Sequence, residues 1–197
     1  MDRRFIFTVT TGRSGTGYLA YVLGLLRNVY SCHEPSPNYV TVMRDAQSDP
    51  SLAKRFLLER KVPHLAKSVS KPIYFESSHL YCKGFVDAWI QISELPIPDL
   101  IILRRPPRKV AKSMMRLNTV PGRTEEGLRW YLAPSDPSNF TLLQESKSLS
   151  DYQLCYWYCL EIGRRQERYA NRIEQRGGRV VECTTSSMAT WSGFNSL

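Results

Sequence analysis

Short apolar runs alternate with helical patterns along the chain. Runs rich in β-branched and aromatic residues predict strands at residues 4–11, 72–76, 99–103 and 179–183. The run 99–103, DLIIL, is almost continuously apolar, which is typical of a strand buried on both faces of a parallel sheet.

Helical periodicity occupies the intervals between these runs. Apolar residues spaced three and four apart predict helices around residues 19–26 and 107–117, and a long helix is expected from Asp151, as its cap, to about Arg176. Strands alternating with helices predict a three-layer α/β/α domain with a central parallel sheet, similar to P-loop nucleoside triphosphatases. In such folds ligands bind at the carboxyl ends of the strands.

Composition narrows the class of protein. At 197 residues, with 42% hydrophobic and 23% charged residues, the chain is expected to form one domain, residues 1–197. We expect the domain to be short or truncated at its C-terminus, where the last residues, TWSGFNSL, look like the start of another helix. The net charge of +9 favours an anionic partner: nucleic acid, an acidic membrane or a phosphorylated small molecule.

Five cysteines without a CxxC pair indicate neither a disulfide framework nor a zinc site. The first apolar run is too short for a signal peptide, and no stretch approaches the roughly 20 apolar residues of a membrane span. We therefore expect buried, reduced thiols and a cytoplasmic location.

A glycine-rich loop separates the first strand from its helix. Residues 12–17, GRSGTG, satisfy the GxxxxG half of a P-loop, whose backbone N–H groups converge on a phosphate. A nucleoside triphosphatase would place Lys and Ser or Thr after the last glycine, but Tyr18 and Leu19 occupy those positions. The loop's cation is Arg13, inside the loop.

This loop resembles the 5′-phosphosulfate loop of sulfotransferases, in which Lys or Arg precedes Ser-Gly-Thr-Thr. The resemblance implies the donor PAPS (3′-phosphoadenosine 5′-phosphosulfate), with Arg13 contacting the phosphosulfate and stabilising charge on the leaving oxygen. The residues implied to bind it, largely through backbone groups, are Ser14, Gly15, Thr16, Gly17 and Tyr18. Gly17 departs from the family's second threonine.

A second anion site follows the DLIIL strand, in the basic segment RRPPRK at 104–109. In sulfotransferases an Arg and a Ser eight residues later bind the 3′-phosphate, and Arg105 and Ser113 fit that spacing. Arginine can hold phosphate oxygens bidentately. Taken alone, the segment is better explained as a solvated basic helix start with Ser113 exposed, but it gains support from the first loop.

Two residues are candidates for the catalytic base. Tyrosylprotein sulfotransferases carry a glutamate about twenty residues after the loop cation, and Glu34 lies at that distance from Arg13. Cytosolic sulfotransferases carry a histidine in the sequence Thr-His-Leu, and His79 lies in the similar sequence Ser-His-Leu. Glu34 precedes a proline and should lie on a loop in extended geometry, with His33 pointing the other way. His79 is equally explained as a hydrogen-bonded histidine at a strand end, and Lys83 as a solvated charge.

Two features of the long helix have simple structural interpretations. An aromatic cluster at helical spacing is more often core than an adenine site, and a basic run is most simply a solvated face. The cluster is Tyr152, Tyr156, Trp157 and Tyr158, and the run is Arg164, Arg165, Arg168 and Arg172.

The resemblance thus implies a PAPS-dependent sulfotransferase that needs no metal and yields PAP (adenosine 3′,5′-bisphosphate). The acceptor would be a hydroxyl or amine of a small molecule, glycan or peptide, held by the loops around 38–70 and 121–150. Three alternatives remain open: a P-loop nucleotide kinase or triphosphatase, a basic nucleic-acid-binding module, and a catalytically dead nucleotide-binding homologue.

Overall fold

A five-stranded, all-parallel sheet forms the centre of the molecule. In a computed structural model that describes residues 3–141, 143 and 146–189, the strands are β1 (Arg4–Val9), β2 (Val29–His33), β3 (Ile73–Ser77), β4 (Asp99–Arg104) and β5 (Val180–Thr184). Their order is β2-β3-β1-β4-β5, and every neighbouring pair is parallel. The predicted α/β class is confirmed.

Helices fill the connections between the strands. They are α1 (Thr16–Gly24), α2 (Val40–Met43), α3 (Ser51–Phe56), α4 (Val62–Ser68), α5 (Phe85–Trp89), α6 (Pro107–Arg116), α7 (Glu125–Trp130) and α8 (Asp151–Glu174). A π-helical turn, Leu57–Lys61, joins α3 to α4. The predicted long helix is confirmed as α8, but its cap is Ser150, which forms a capping box with Gln153, and not Asp151.

The four predicted strands are confirmed with ends shifted by one or two residues, whereas β2 was not predicted. Its sequence, VYSCH, lacks an apolar run because it is an edge strand that is only partly buried. The last segment predicted as a helix start, 190–197, lies outside the described residues.

Two apolar clusters cover the two faces of the sheet. Along β4, Leu100 and Ile102 face the larger cluster with α5, α6 and α8, while Ile101 and Leu103 face the smaller cluster with α1. This alternation explains why the whole DLIIL run is buried.

Helix α8 holds the carboxyl end of β1 in place. The Gln166 side-chain amide donates a hydrogen bond to the Val9 carbonyl at 2.8 Å, and the Tyr158 hydroxyl donates to the Thr11 carbonyl at 3.0 Å. Tyr158 and Trp157 are buried, so the core interpretation of these two aromatic residues is confirmed. A long helix thereby anchors the loop that follows β1.

The basic run on α8 is not simply a solvated face. Arg165 is only 2% exposed and pairs with the buried Glu161 at 2.6 Å, while Arg172 pairs with Asp87. Glu161 also accepts hydrogen bonds from the backbone N–H groups of Phe140 and Thr141. The buried pair thus anchors the segment before α8, which the helical spacing alone did not indicate.

Within the described part of the chain, no helix combines the length and apolar character needed to cross a membrane.

Replacing Tyr158 with Phe tests the link between α8 and the loop after β1. Loss of the hydroxyl leaves the buried Thr11 carbonyl without this donor, so we expect the free energy of unfolding in urea to fall by about 1–3 kcal/mol. The matched control is Tyr156→Phe, on the half-buried side of the same helix, with an expected change within about 0.5 kcal/mol. Equal effects of the two changes would contradict this role.

Candidate active site

The loop between β1 and α1 has the backbone conformation of an anion site. Gly12, Arg13 and Gly15 all have left-handed φ angles, of 79°, 55° and 85°. Helix α1 begins at Thr16 with Gly15 as its cap, and the N–H groups of a first helical turn have no acceptor within their own helix. These donors and the positive end of the helix dipole meet at the carboxyl end of the sheet.

One side chain of this loop is buried and stabilises the loop itself, whereas two others are exposed to solvent. The buried Ser14 hydroxyl donates to the Gly12 carbonyl at 2.9 Å and lies 3.1 Å from the Thr11 hydroxyl, so it holds the loop rather than facing the crevice. Arg13 and Tyr18, in contrast, are exposed. Arg13 is a non-glycine residue in a left-handed conformation, a strain of the kind that clusters at functional sites.

The two predicted anion sites are contiguous. The Arg105 guanidinium donates to the Arg13 carbonyl at 2.5 Å, and Nε of Arg13 donates to the Ser113 hydroxyl at 3.3 Å. The three residues come from the loop after β1, the end of β4 and helix α6, and the structure brings them to one place.

The strand order explains this convergence. From β1 the chain turns towards β2 and β3, and from β4 it turns the opposite way to β5, so the switch point of the sheet lies between β1 and β4. Ligands of open α/β sheets bind in the crevice at such a point.

A segment that the sequence analysis missed contacts the glycine-rich loop at residues 12–17, which we call the phosphate loop after its P-loop pattern. After β5, the Thr185 hydroxyl donates to the Ser14 carbonyl at 3.2 Å, and a Cβ added at Gly15 would lie 3.4 Å from Thr185 Cγ2. The sequence TTSS gives no signal of this contact, which depends on β5 lying beside β4.

Both candidate bases line one cleft of about 240 Å³ next to Arg13. His79 Nε2 lies 3.6 Å from Glu34 Oε1, although the two residues follow different strands. The lining residues are Gly12, Arg13, Thr16, His33, Glu34, His79, Leu117, Thr119, Glu126, Trp130 and Tyr131.

Glu34 lies on a loop, as predicted, but its backbone is left-handed, with φ of 46°, and not extended. The Ser78 hydroxyl donates to its carboxylate at 3.3 Å, and the Asn38 amide donates to its carbonyl at 3.0 Å. His33 also lines the cleft, and its Nδ1 lies 3.0 Å from the Ser77 carbonyl. The expectation that His33 points away from Glu34 is therefore wrong.

His79 is buried between the phosphate loop and Lys83. Lys83 is 0% exposed and its Nζ lies 2.8 Å from His79 Nδ1, so the solvated-charge interpretation of Lys83 is wrong. Burial and the neighbouring Lys83 hold the pKa of His79 well below its usual range, and burial likewise lowers the pKa of Lys83. The His79 imidazole is therefore neutral at pH 7.

A larger cavity, of about 450 Å³, lies between the end of β4 and α8. Three arginines line it, each of which also donates to a protein acceptor, and one of them is Arg105 of the predicted 3′-phosphate site. Arg104 bonds to Glu182 and Gln166, Arg105 to the Arg13 carbonyl, and Arg164 to the Phe140 carbonyl. The smaller cleft holds both candidate bases and the exposed loop cation, and we regard it as the candidate active site.

Comparison with solved structures identifies the fold. The sulfotransferase domain from the curacin biosynthetic pathway superposes with a TM-score of 0.64 and 12% identity, covering 96% of this chain and 70% of that one. A sulfotransferase from Alicyclobacillus acidocaldarius superposes with a TM-score of 0.55 and 16% identity, covering 96% of this chain and 76% of that one. The sequence matches no protein-family model and no curated protein. The chain therefore has the sulfotransferase fold.

Substituting Gly12 with Ala tests the contact between the phosphate loop and His79. The added Cβ would lie 3.0 Å from His79 Cγ at a φ of 79°, so we expect the free energy of unfolding to fall by about 1–3 kcal/mol. Gly163→Ala is the control, because nothing lies within 4 Å of its added Cβ and alanine favours a helix interior by up to about 1 kcal/mol. Unchanged stability of Gly12→Ala in urea would refute the contact.

Proposed function

We propose that this protein is a member of the sulfotransferase family and transfers a sulfuryl group from PAPS to a hydroxyl or amine. The observation that carries the proposal is the convergence of Arg13, Arg105 and Ser113 at the switch point of the sheet. A donor with a 5′-phosphosulfate and a 3′-phosphate needs two adjacent anion sites, and the closeness of these three residues supports such a pair of sites.

The donor's 5′ end would bind at the phosphate loop. The N–H groups at residues 14–18 and the exposed Arg13 would hold the phosphosulfate, and Arg105 and Ser113 would hold the 3′-phosphate. Tyr18 and Leu19 replace the Lys and Ser or Thr that a nucleoside triphosphatase places after its last glycine, which favours PAPS over ATP or GTP.

The reaction would proceed by in-line displacement at sulfur. The acceptor oxygen or nitrogen forms a bond to sulfur, the bond from sulfur to the 5′-phosphate oxygen breaks, and PAP leaves. Arg13 would stabilise the charge that develops on the leaving oxygen. The acceptor's proton passes to a base in the cleft, for which Glu34 and His79 are the candidates.

The acceptor would enter through the cleft beside Arg13. Its walls include Trp130, Tyr131 and Leu117, which offer aromatic and apolar contact, and they belong to the 117–131 segment between α6 and the long helix. The residues of this wall, rather than those of the phosphate loop, would determine which acceptor binds.

Titration with PAP tests the donor site. Arg105→Ala removes a guanidinium that would bond to the 3′-phosphate, and we expect PAP to bind about 10- to 150-fold more weakly, since a hydrogen bond to a charged group contributes about 1.5–3 kcal/mol. Affinity for 5′-AMP, which lacks the 3′-phosphate, should change much less.

Arg108→Ala is the matched control, because it removes an exposed cation from the start of α6. It should leave PAP affinity nearly unchanged. If Arg108→Ala weakened PAP binding as much as Arg105→Ala, or if wild-type protein preferred ATP with Mg²⁺ to PAP, the proposed donor would be wrong.

A further inference from the structure

Lys83 is fully buried, and its Nζ contacts the ring nitrogen of His79 that does not face Glu34. Its Nζ lies 2.8 Å from His79 Nδ1 and also donates to the Trp130 carbonyl. The rings of Tyr131 and Tyr158 face it, with centroids at 4.9 and 5.4 Å. No ion pair among the described residues includes Lys83.

These contacts determine which way the hydrogen bond to His79 runs. A carbonyl only accepts hydrogen bonds, so the Trp130 carbonyl takes one N–H of Lys83. The faces of the Tyr131 and Tyr158 rings stabilise a cation, and an ammonium has three N–H donors and no lone pair. In this form Lys83 donates to His79 Nδ1, and Nδ1 is the acceptor.

A neutral imidazole has one donor and one acceptor nitrogen. If Nδ1 accepts from Lys83, the ring proton lies on Nε2, which is the nitrogen that faces Glu34 Oε1 at 3.6 Å. An Nε2 that carries a proton cannot accept another from the substrate.

We propose that Lys83 is a positioning residue that holds His79 as its Nε2–H tautomer, so that His79 donates into the cleft and Glu34 is the base. The catalytic part of this inference rests on the proposed function. In the transfer step, the acceptor's proton goes to the Glu34 carboxylate as the new bond to sulfur forms and the bond from sulfur to the 5′-phosphate oxygen breaks. The Nε2–H of His79 faces that carboxylate, with Nε2 3.6 Å from Glu34 Oε1.

Nitrogen NMR of protein labelled with ¹⁵N-histidine tests the tautomer directly. The chain has three histidines, and the spectrum of His79→Gln assigns the His79 ring. We expect wild-type His79 near pH 7 to show a protonated Nε2 and an unprotonated Nδ1. A protonated Nδ1, whether in the other neutral tautomer or in imidazolium, would overturn the proposal.

Two substitutions then assign the effect to Lys83. Lys83→Met removes the donor, and we expect the His79 signals to shift towards a mixture of tautomers. Lys83→Arg retains N–H donors and has no acceptor, so it should keep the Nε2–H form. The signals of His33 and His64 report whether each variant is folded. If neither variant folds, the wild-type spectrum alone decides.

Transfer assays separate this inference from the proposed function. With PAPS and a panel of phenols, alcohols and amines, Glu34→Gln should lower PAP release by about 10²- to 10⁴-fold without weakening PAP binding. An Nε2–H signal in a protein that does not bind PAP would refute the donor assignment and leave the tautomer intact. PAP binding with a protonated Nδ1 would refute the role of Lys83 alone. Full transfer activity in Glu34→Gln would refute Glu34 as the base.

Discussion

The hydrogen bond from the Arg105 guanidinium to the Arg13 carbonyl is the contact on which the candidate site depends, because it joins the loops that follow β1 and β4. These strands are neighbours only because the chain crosses from β3, on one side of β1, to β4 on the other. The crossing places two cations and the Ser113 hydroxyl at one crevice, although Arg13 and Ser113 are 100 residues apart. The proposed donor site is therefore a product of strand order.

Polar contacts from two other segments hold the loop after β1 in place. Helix α8 donates to the Val9 and Thr11 carbonyls through Gln166 and Tyr158, and the Thr185 hydroxyl donates to the Ser14 carbonyl. The loop's own glycines admit the left-handed turns and leave room for the His79 ring. A rigid loop of this kind presents its N–H groups without reorganising when an anion arrives.

The parts of this structure that depend on local sequence pattern could be predicted. The DLIIL strand was predicted because burial on both faces requires apolar residues, and the glycine loop because a tight turn requires glycine. The partly exposed strand β2 was not predicted, because an edge strand needs no apolar run. Three further features depend on contacts between distant segments and could not be predicted: the burial of Lys83, the burial of Arg165 and the position of His33 at the cleft. The two candidate bases are a further example. The sequence indicated His79 and Glu34 separately, and only the fold places His79 Nε2 3.6 Å from Glu34 Oε1.

The central claim is that one nucleotide with phosphates at both its 3′ and 5′ positions spans the loops after β1 and β4. A crystal structure of the protein with PAP tests it most directly. The account predicts the 5′-phosphate at the N–H groups of residues 14–18 and the 3′-phosphate between Arg105 and Ser113, with Glu34 and His79 left open to the acceptor. PAP bound away from the loop after β1, or bound with its 3′-phosphate in solvent, would contradict it.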